Sequence, residues 1–192
     1  MPRANLSRAV VLAKAADLVD EIGYDNLSMA AIAKRFGVAV PSLYKHVDSL
    51  PQVRRDLAAQ ALRELGQALE AATAEADRRS ALHAAATAYR RYAHDHPGRY
   101  AAVVRAPDAG DRELSALGER ILEVVYRVLT RYGRHGEEAV HDVRILRSAL
   151  HGFVSLEASG GFGMPLNVEA SFDRMVDALD AAFARVPPSG SR

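Results

Sequence analysis

The sequence predicts an all-α chain, on three observations. Alanine and leucine recur throughout at helical spacing, strand signals are nearly absent, and Gly and Pro fall between long periodic segments as punctuation. The first segment sets Val11, Ala15, Leu18 and Ile22 on one face, with a cap expected near Asn5 or Ser7 and a stop at Gly23. Ser28 is the N-cap of a short second helix, whose apolar positions are Met29, Ile32, Ala33 and Phe36 and whose end is Gly37. Pro41 presets the first turn of a third helix, which turns Leu43 and Val47 inward and Ser42, Lys45 and His46 outward. Asp48 and Ser49 offer caps for a fourth helix, opened by Pro51 and running through Val53, Leu57, Leu65 and Leu69 to about Glu75.

The helices beyond are long. They are expected from about Arg79 to Asp95, briefly after Pro97, then over Arg112 to Tyr132, Glu137 to Ser159 and Ala170 to Arg185. Gly133, Gly136, Gly160, Gly161, Gly163 and Pro165 mark the turns between them. Residues 1–48 are expected to form a helix-turn-helix domain and residues 49–186 a second helical domain, with 187–192 as a disordered tail.

Composition narrows the class. With 192 residues, 49% hydrophobic and 26% charged, the chain has the balance of a globular protein that buries its own core. It contains no cysteine, which excludes a disulfide framework, a thiolate nucleophile and cysteine-ligated zinc. No apolar stretch approaches the length that crosses a bilayer and the start lacks a signal core, so the expected location is the cytoplasm, without a membrane partner. The net charge is only +1. Up to Arg55, however, Arg3, Arg8, Lys14, Lys34, Arg35, Lys45, Arg54 and Arg55 outnumber the acids, and the remainder is slightly negative.

Residues 28–47 hold the parts of a DNA-reading helix pair: a short helix, a glycine turn, an apolar lock and a second helix with polar outward residues. Gly37 ends the first helix and Val38 locks the corner. Leu43 and Val47 anchor the second helix against Ile32 and Phe36. At Leu27-Ser28, Ala33, Gly37-Val38, Ser42-Leu43-Tyr44 and His46-Val47, the sequence resembles the TetR family of bacterial regulators. The resemblance implies a ligand-responsive repressor that binds a palindromic DNA operator as a homodimer. It places Ser28, Ala39, Val40, Pro41, Ser42, Tyr44, Lys45 and His46 at the DNA. Lys45 and the hydroxyls of Ser42 and Tyr44 suit phosphates, whereas Ala39 and Val40 offer only apolar contact, for example to a thymine methyl. Leu50 and Ala30 stand where the family often has a lysine and a polar residue. Phosphate anchoring is therefore also sought from Arg54, Arg55, or an arm with Arg3 and Arg8.

In the last two helices Val143, Leu146, Leu150 and Phe153, and likewise Phe172, Met175, Leu179, Ala182 and Val186, form narrow stripes. Family members dimerise through these helices, so the stripes are candidates for the twofold interface, with packing inside one subunit as the alternative. The run Leu146 to Phe153, with His151-Gly152, is similar to a TetR subgroup with a His-Gly signature, although the tryptophan that often precedes it is missing. The family resemblance also implies an unidentified small-molecule effector among the middle helices. Tyr89, Tyr92, Tyr100, Leu117, Ile121, Tyr126, Leu150, His151 and Phe153 are its candidate contacts.

Enzyme and cofactor readings find no support. His94-Asp95-His96 is the only dense group of possible metal ligands, and residues two apart on a helix diverge. No nucleophile elbow, phosphate-binding glycine loop or His-Glu-x-x-His site occurs, so neither a catalytic residue nor a cofactor or metal is expected. The alternative is a helical small-molecule-binding protein that keeps the fold without regulating transcription.

Overall fold

A computed structural model describes residues 6–104 and 110–185. Among them there is no strand, and the helices are α1 (Arg8–Ile22), α2 (Met29–Phe36), α3 (Val40–Leu43), α4 (Leu50–Thr73), α5 (Arg78–Asp95), α6 (Pro97–Val104), α7 (Arg112–Thr130), α8 (Gly136–Ala158) and α9 (Val168–Ala184). A 3-10 turn over Tyr24–Asn26, which carries no periodic signature, joins α1 to α2.

Side-chain caps fix the starts of α1, α2, α4 and α9. Ser7 accepts from the Val10 N–H, Ser28 from Ala31, Ser49 from Gln52 and Asn167 from Glu169 and Ala170. At the end of α2, Gly37 adopts φ 64°, ψ 32°, the left-handed conformation a β-carbon disfavours. Val38 then donates back to the Ala33 carbonyl at 3.1 Å, which closes the corner. The third helix is shorter than expected. After Leu43 the chain tightens into a turn, because the Leu43 carbonyl takes both the His46 N–H (2.8 Å) and the Val47 N–H (3.0 Å).

The chain divides into two compact units. The first comprises residues 1–64 and 95–117, the second 65–94 and 118–192, and α4 and α7 contribute to both. The first unit is thus larger than the 1–48 segment. Its core gathers Val11, Ala15, Leu18 and Val19 from α1, Leu27, Met29, Ile32 and Ala33 around α2, Leu43 and Val47 around α3, and Val53 and Leu57 from α4. A smaller cluster of Ala58, Ala59, Ala102, Leu114 and Leu117 completes it. Helix α6 belongs here for a specific reason. Gly98, buried at its start, lies so close to the end of α1 that an added β-carbon would stand 1.9 Å from the Val19 carbonyl oxygen. The Asp20 carboxylate holds this contact by accepting from the Arg99 N–H (2.9 Å) and Nε (2.7 Å), and Arg99 reaches Glu64 at 3.0 Å.

The second unit packs Ala81, Leu82 and Ala86 of α5, Val128 and Leu129 of α7, Val143, Leu146, Leu150 and Phe153 of α8, and Phe172, Val176, Leu179 and Phe183 of α9. Two charged clamps tie these helices together. Arg90 donates to Glu157 (2.9 and 2.7 Å) and Glu169 (2.6 Å) while lying over the Phe153 and Phe172 rings at 5.5 and 4.6 Å. The Arg90 guanidinium holds the Glu157 carboxyl below the usual carboxylate range. Arg134, in the α7–α8 turn, closes the end of α9 by donating to the carbonyls of Ala182, Phe183 and Arg185.

Candidate nucleic-acid interface

The glycine corner sets what α3 and the following turn present. Leu43 and Val47 are buried at 0% and 4% exposure, whereas Tyr44 is 53% exposed, a large aromatic surface left outside the core. Ala39, Pro41 and Lys45 are exposed with it, and Val40, Ser42 and His46 are half-buried. The expected DNA-facing set therefore lies on α3 and its exit turn, with one difference from the sequence reading: Tyr44, Lys45 and His46 sit in the turn after the helix. Ser28 is half-buried, its hydroxyl oxygen engaged in capping α2. Lys34 and Lys45 are exposed and form no ion pair among the described residues.

The additional phosphate anchors are placed differently. Arg8 is paired with Asp56 at 2.6 Å, and Arg55 is held by Asp111 (2.6 and 2.9 Å) and Glu113 (2.9 Å). The Arg55 partnership draws the Asp111 carboxyl below its ordinary range. Arg54 turns into the fold, donating to the Leu27 carbonyl at 3.1 Å. Arg35 is paired with Glu21, and Arg3 lies outside the described residues. For Arg8, Arg35, Arg54 and Arg55 the competitor is a carboxylate or carbonyl that no local pattern announces.

The expected effector contacts fall into both units. Tyr89, Tyr126, Leu150 and Phe153 join the core cluster of the second unit, where Phe153 packs on Phe162 and Phe172 with centroids 4.8 and 5.1 Å away. Tyr92 is buried there, Ile121 and His151 are half-buried, and the Ser155 hydroxyl lies 3.4 Å from the His151 ring. Leu117 and Tyr100, in contrast, are buried residues of the first unit. At the His94-Asp95-His96 cluster, His96 approaches Asp20 at 3.3 Å, and no group of three possible ligands is placed to hold a metal among the described residues.

The stripes read as dimer candidates are mostly core. Val143, Leu146, Leu150, Phe153, Phe172 and Leu179 are buried within the second unit, Met175 packs partly against it, and Ala182 is exposed. Val186 lies outside the described residues. A period of three and four marks a buried face without saying which chain buries it.

Residues 11–49 match the family model of the bacterial regulatory proteins of the tetR family, and residues 82–179 match the tetracyclin repressor-like C-terminal domain. An uncharacterized HTH-type transcriptional regulator of Mycobacterium tuberculosis is 39% identical over 183 residues, covering 95% of this chain and 84% of that protein. A second, from Bacillus subtilis, is 33% identical and covers 84% of each chain. The structure of a Rhodococcus protein of unknown function superposes with a TM-score of 0.80 at 25% identity, over 96% of this chain and 100% of that one. No described helix is long and apolar enough to cross a membrane. With a helix-turn-helix that leaves Tyr44 and Lys45 outside its core, and with both family models matched in order, this chain belongs to the TetR family of DNA-binding transcriptional regulators, which is not a family of enzymes.

Proposed function

We propose that this regulator is a cytoplasmic, ligand-responsive repressor that grips a palindromic operator as a homodimer, reading DNA with Ala39, Val40, Pro41, Ser42, Tyr44, Lys45 and His46 and with the α2 start at Ser28. The observation that carries this reading is the division at α3: Leu43 and Val47 are locked inside, and Tyr44 and Lys45 stand outside. Lys45 supplies charge to phosphates, and the Tyr44 and Ser42 hydroxyls supply directed donors. Ala39 and Val40 favour thymine methyls. The test is binding of a labelled duplex at several salt concentrations. Lys45→Ala should weaken binding across sequences and lower the slope of log K against log salt by about 1. Adding Tyr44→Ala should weaken binding further. Wild-type protein that ignores DNA in dilute salt would instead favour a small-molecule-binding protein without a regulatory role.

Dimerisation is assigned to the faces of α8 and α9 that the core leaves out. On α8 these include Ile145 (50% exposed), Gly152 and Leu156 (51% exposed), and on α9 the exposed Ala178, Ala181 and Ala182. An added β-carbon at Gly152 would meet nothing within 4 Å, so this small residue leaves room for a second helix from outside the subunit. A twofold dimer would set two α3 surfaces about 34 Å apart, one helical turn of DNA. Ile145→Glu should yield a monomer in sedimentation, and the dimer assignment fails if the variant sediments as the wild type does.

The effector site is assigned to the second unit, around Tyr89, Tyr92, Ile121, Tyr126 and His151, with Leu150 and Phe153 behind them. Phenol rings suit a mostly apolar molecule with a few polar groups. His151-Gly152 is the basis for assigning the chain to the His-Gly subgroup. Residues 1–48 and 49–186 remain the functional division, DNA contact in the first and effector and dimer contacts in the second. The effector acts if it binds more tightly to a dimer whose α3 surfaces are wrongly spaced for DNA.

A further inference from the structure

We propose that Arg54 is a positioning residue for DNA binding, one that fixes the start of α2 against α4 and makes no contact with phosphate itself. As an arginine one turn into α4, it would ordinarily be counted with the DNA-facing cations. Its guanidinium is instead committed inward. Nη2 donates to the Leu27 carbonyl at 3.1 Å and approaches the Asp25 carbonyl at 3.5 Å, and the group lies 5.4 Å from the centre of the Tyr24 ring. Nε is buried and has no hydrogen-bond partner. Burial with one donor unpaired is costly, and the side chain holds this place through the carbonyl and ring contacts.

The contact falls at the hinge between helices. Tyr24–Asn26 form the 3-10 turn, Leu27 is 1% exposed, and Ser28 caps α2 through the Ala31 N–H at 3.1 Å. A planar guanidinium that joins Leu27 and the Tyr24 ring to α4 therefore sets where α2 begins. In a helix-turn-helix the first helix of the pair crosses the DNA backbone while the second enters the groove, so the start of α2 and the α3 surface must be held in one register. The Leu27 carbonyl precedes the cap and lies outside the α2 ladder, and Arg54 supplies its donor.

This proposal rests on the DNA-binding surface described above, and wild-type binding in the same titration separates its failure from the failure of that surface. The experiment compares Arg54→Met, Arg54→Lys and Lys45→Ala with the wild type, by melting temperature and by affinity for one labelled duplex across a salt series. Methionine keeps apolar volume and removes every donor, and lysine keeps one donor for Leu27. Arg54→Met is expected to melt close to the wild type, bind about tenfold more weakly at every salt concentration, and retain the wild-type salt slope. Arg54→Lys should recover part of the affinity at the same slope. Lys45→Ala should lose about 1 from the slope. The proposal is overturned if Arg54→Met binds as the wild type does, or if its slope falls as that of Lys45→Ala does, which would make Arg54 a phosphate ligand. Should Arg54→Met not fold, Arg54→Gln, which removes the charge and keeps an amide donor for the Leu27 carbonyl, decides by the same slope criterion.

Discussion

Arg134→Met is expected to destabilise the second unit by about 3–5 kcal/mol, because it strips the partner from a buried carboxylate. Arg134 is 9% exposed and Asp142 is 7% exposed, and the Asp142 Oδ2 lies 3.2 Å from the Arg134 Nε. This contact is ionic and not a hydrogen bond, since the Nε–H is spent on the Phe183 carbonyl at 3.1 Å. Burial raises the Asp142 carboxyl above its ordinary range even with Arg134 present, and loss of the guanidinium raises it further. An acid with a raised folded-state pKa binds more protons folded than unfolded. Stability then falls as pH climbs through the interval above the ordinary aspartate value. Urea denaturation should accordingly show a deficit at pH 7 that shrinks towards pH 4. A deficit of equal size at both would mean that the lost carbonyl contacts at the end of α9 dominate and that the Asp142 charge matters little.

Gly98→Ala should cost the first unit about 3 kcal/mol and take DNA binding down with it. The added methyl would stand 1.9 Å from the Val19 oxygen, 2.3 Å from its carbonyl carbon and 2.8 Å from the Asp20 nitrogen. All three are backbone atoms, so relief requires α6 to move off α1, and the Arg99–Asp20 contacts lengthen with it. Gly118→Ala is the control. It lies within α7, and its β-carbon would meet nothing within 4 Å. There the helix propensity of alanine should stabilise by about 0.5–1 kcal/mol. Chemical denaturation of both variants checks the contrast, and equal stability of the two would deny the close approach of α6.

These two cases separate what the sequence conveys from what it does not. The starts at Ser7, Ser28, Ser49 and Asn167 and the left-handed turn at Gly37 are local devices, so composition and spacing expose the helices and the corner to within a few residues. Tyr44 and Lys45 follow from that corner, because Leu43 and Val47 have only one side on which to be buried. Gly98 with Val19, Arg54 with Leu27, and Arg134 with the end of α9 are contacts between residues distant in sequence and leave no periodic mark. For the same reason, Arg8, Arg54 and Arg55 read as free cations until their partners are seen. The stripe from Val143 to Phe153 belongs to the subunit's own core, and what remains for a partner, Ile145, Gly152 and Leu156, is too sparse in apolar residues to stand out as a stripe.

In the proposed mode of binding, the surface from Ser42 to His46 meets DNA in two copies at once. Hydroxyl-radical footprinting on a duplex selected for binding to the wild-type protein, at low and moderate salt, is decisive for it. Two protected patches are expected on one face of the duplex, about 34 Å apart between centres, and they should vanish together in the Tyr44→Ala, Lys45→Ala double variant. Protection that survives the double variant would overturn paired binding through this surface, as would a single patch with no symmetric counterpart.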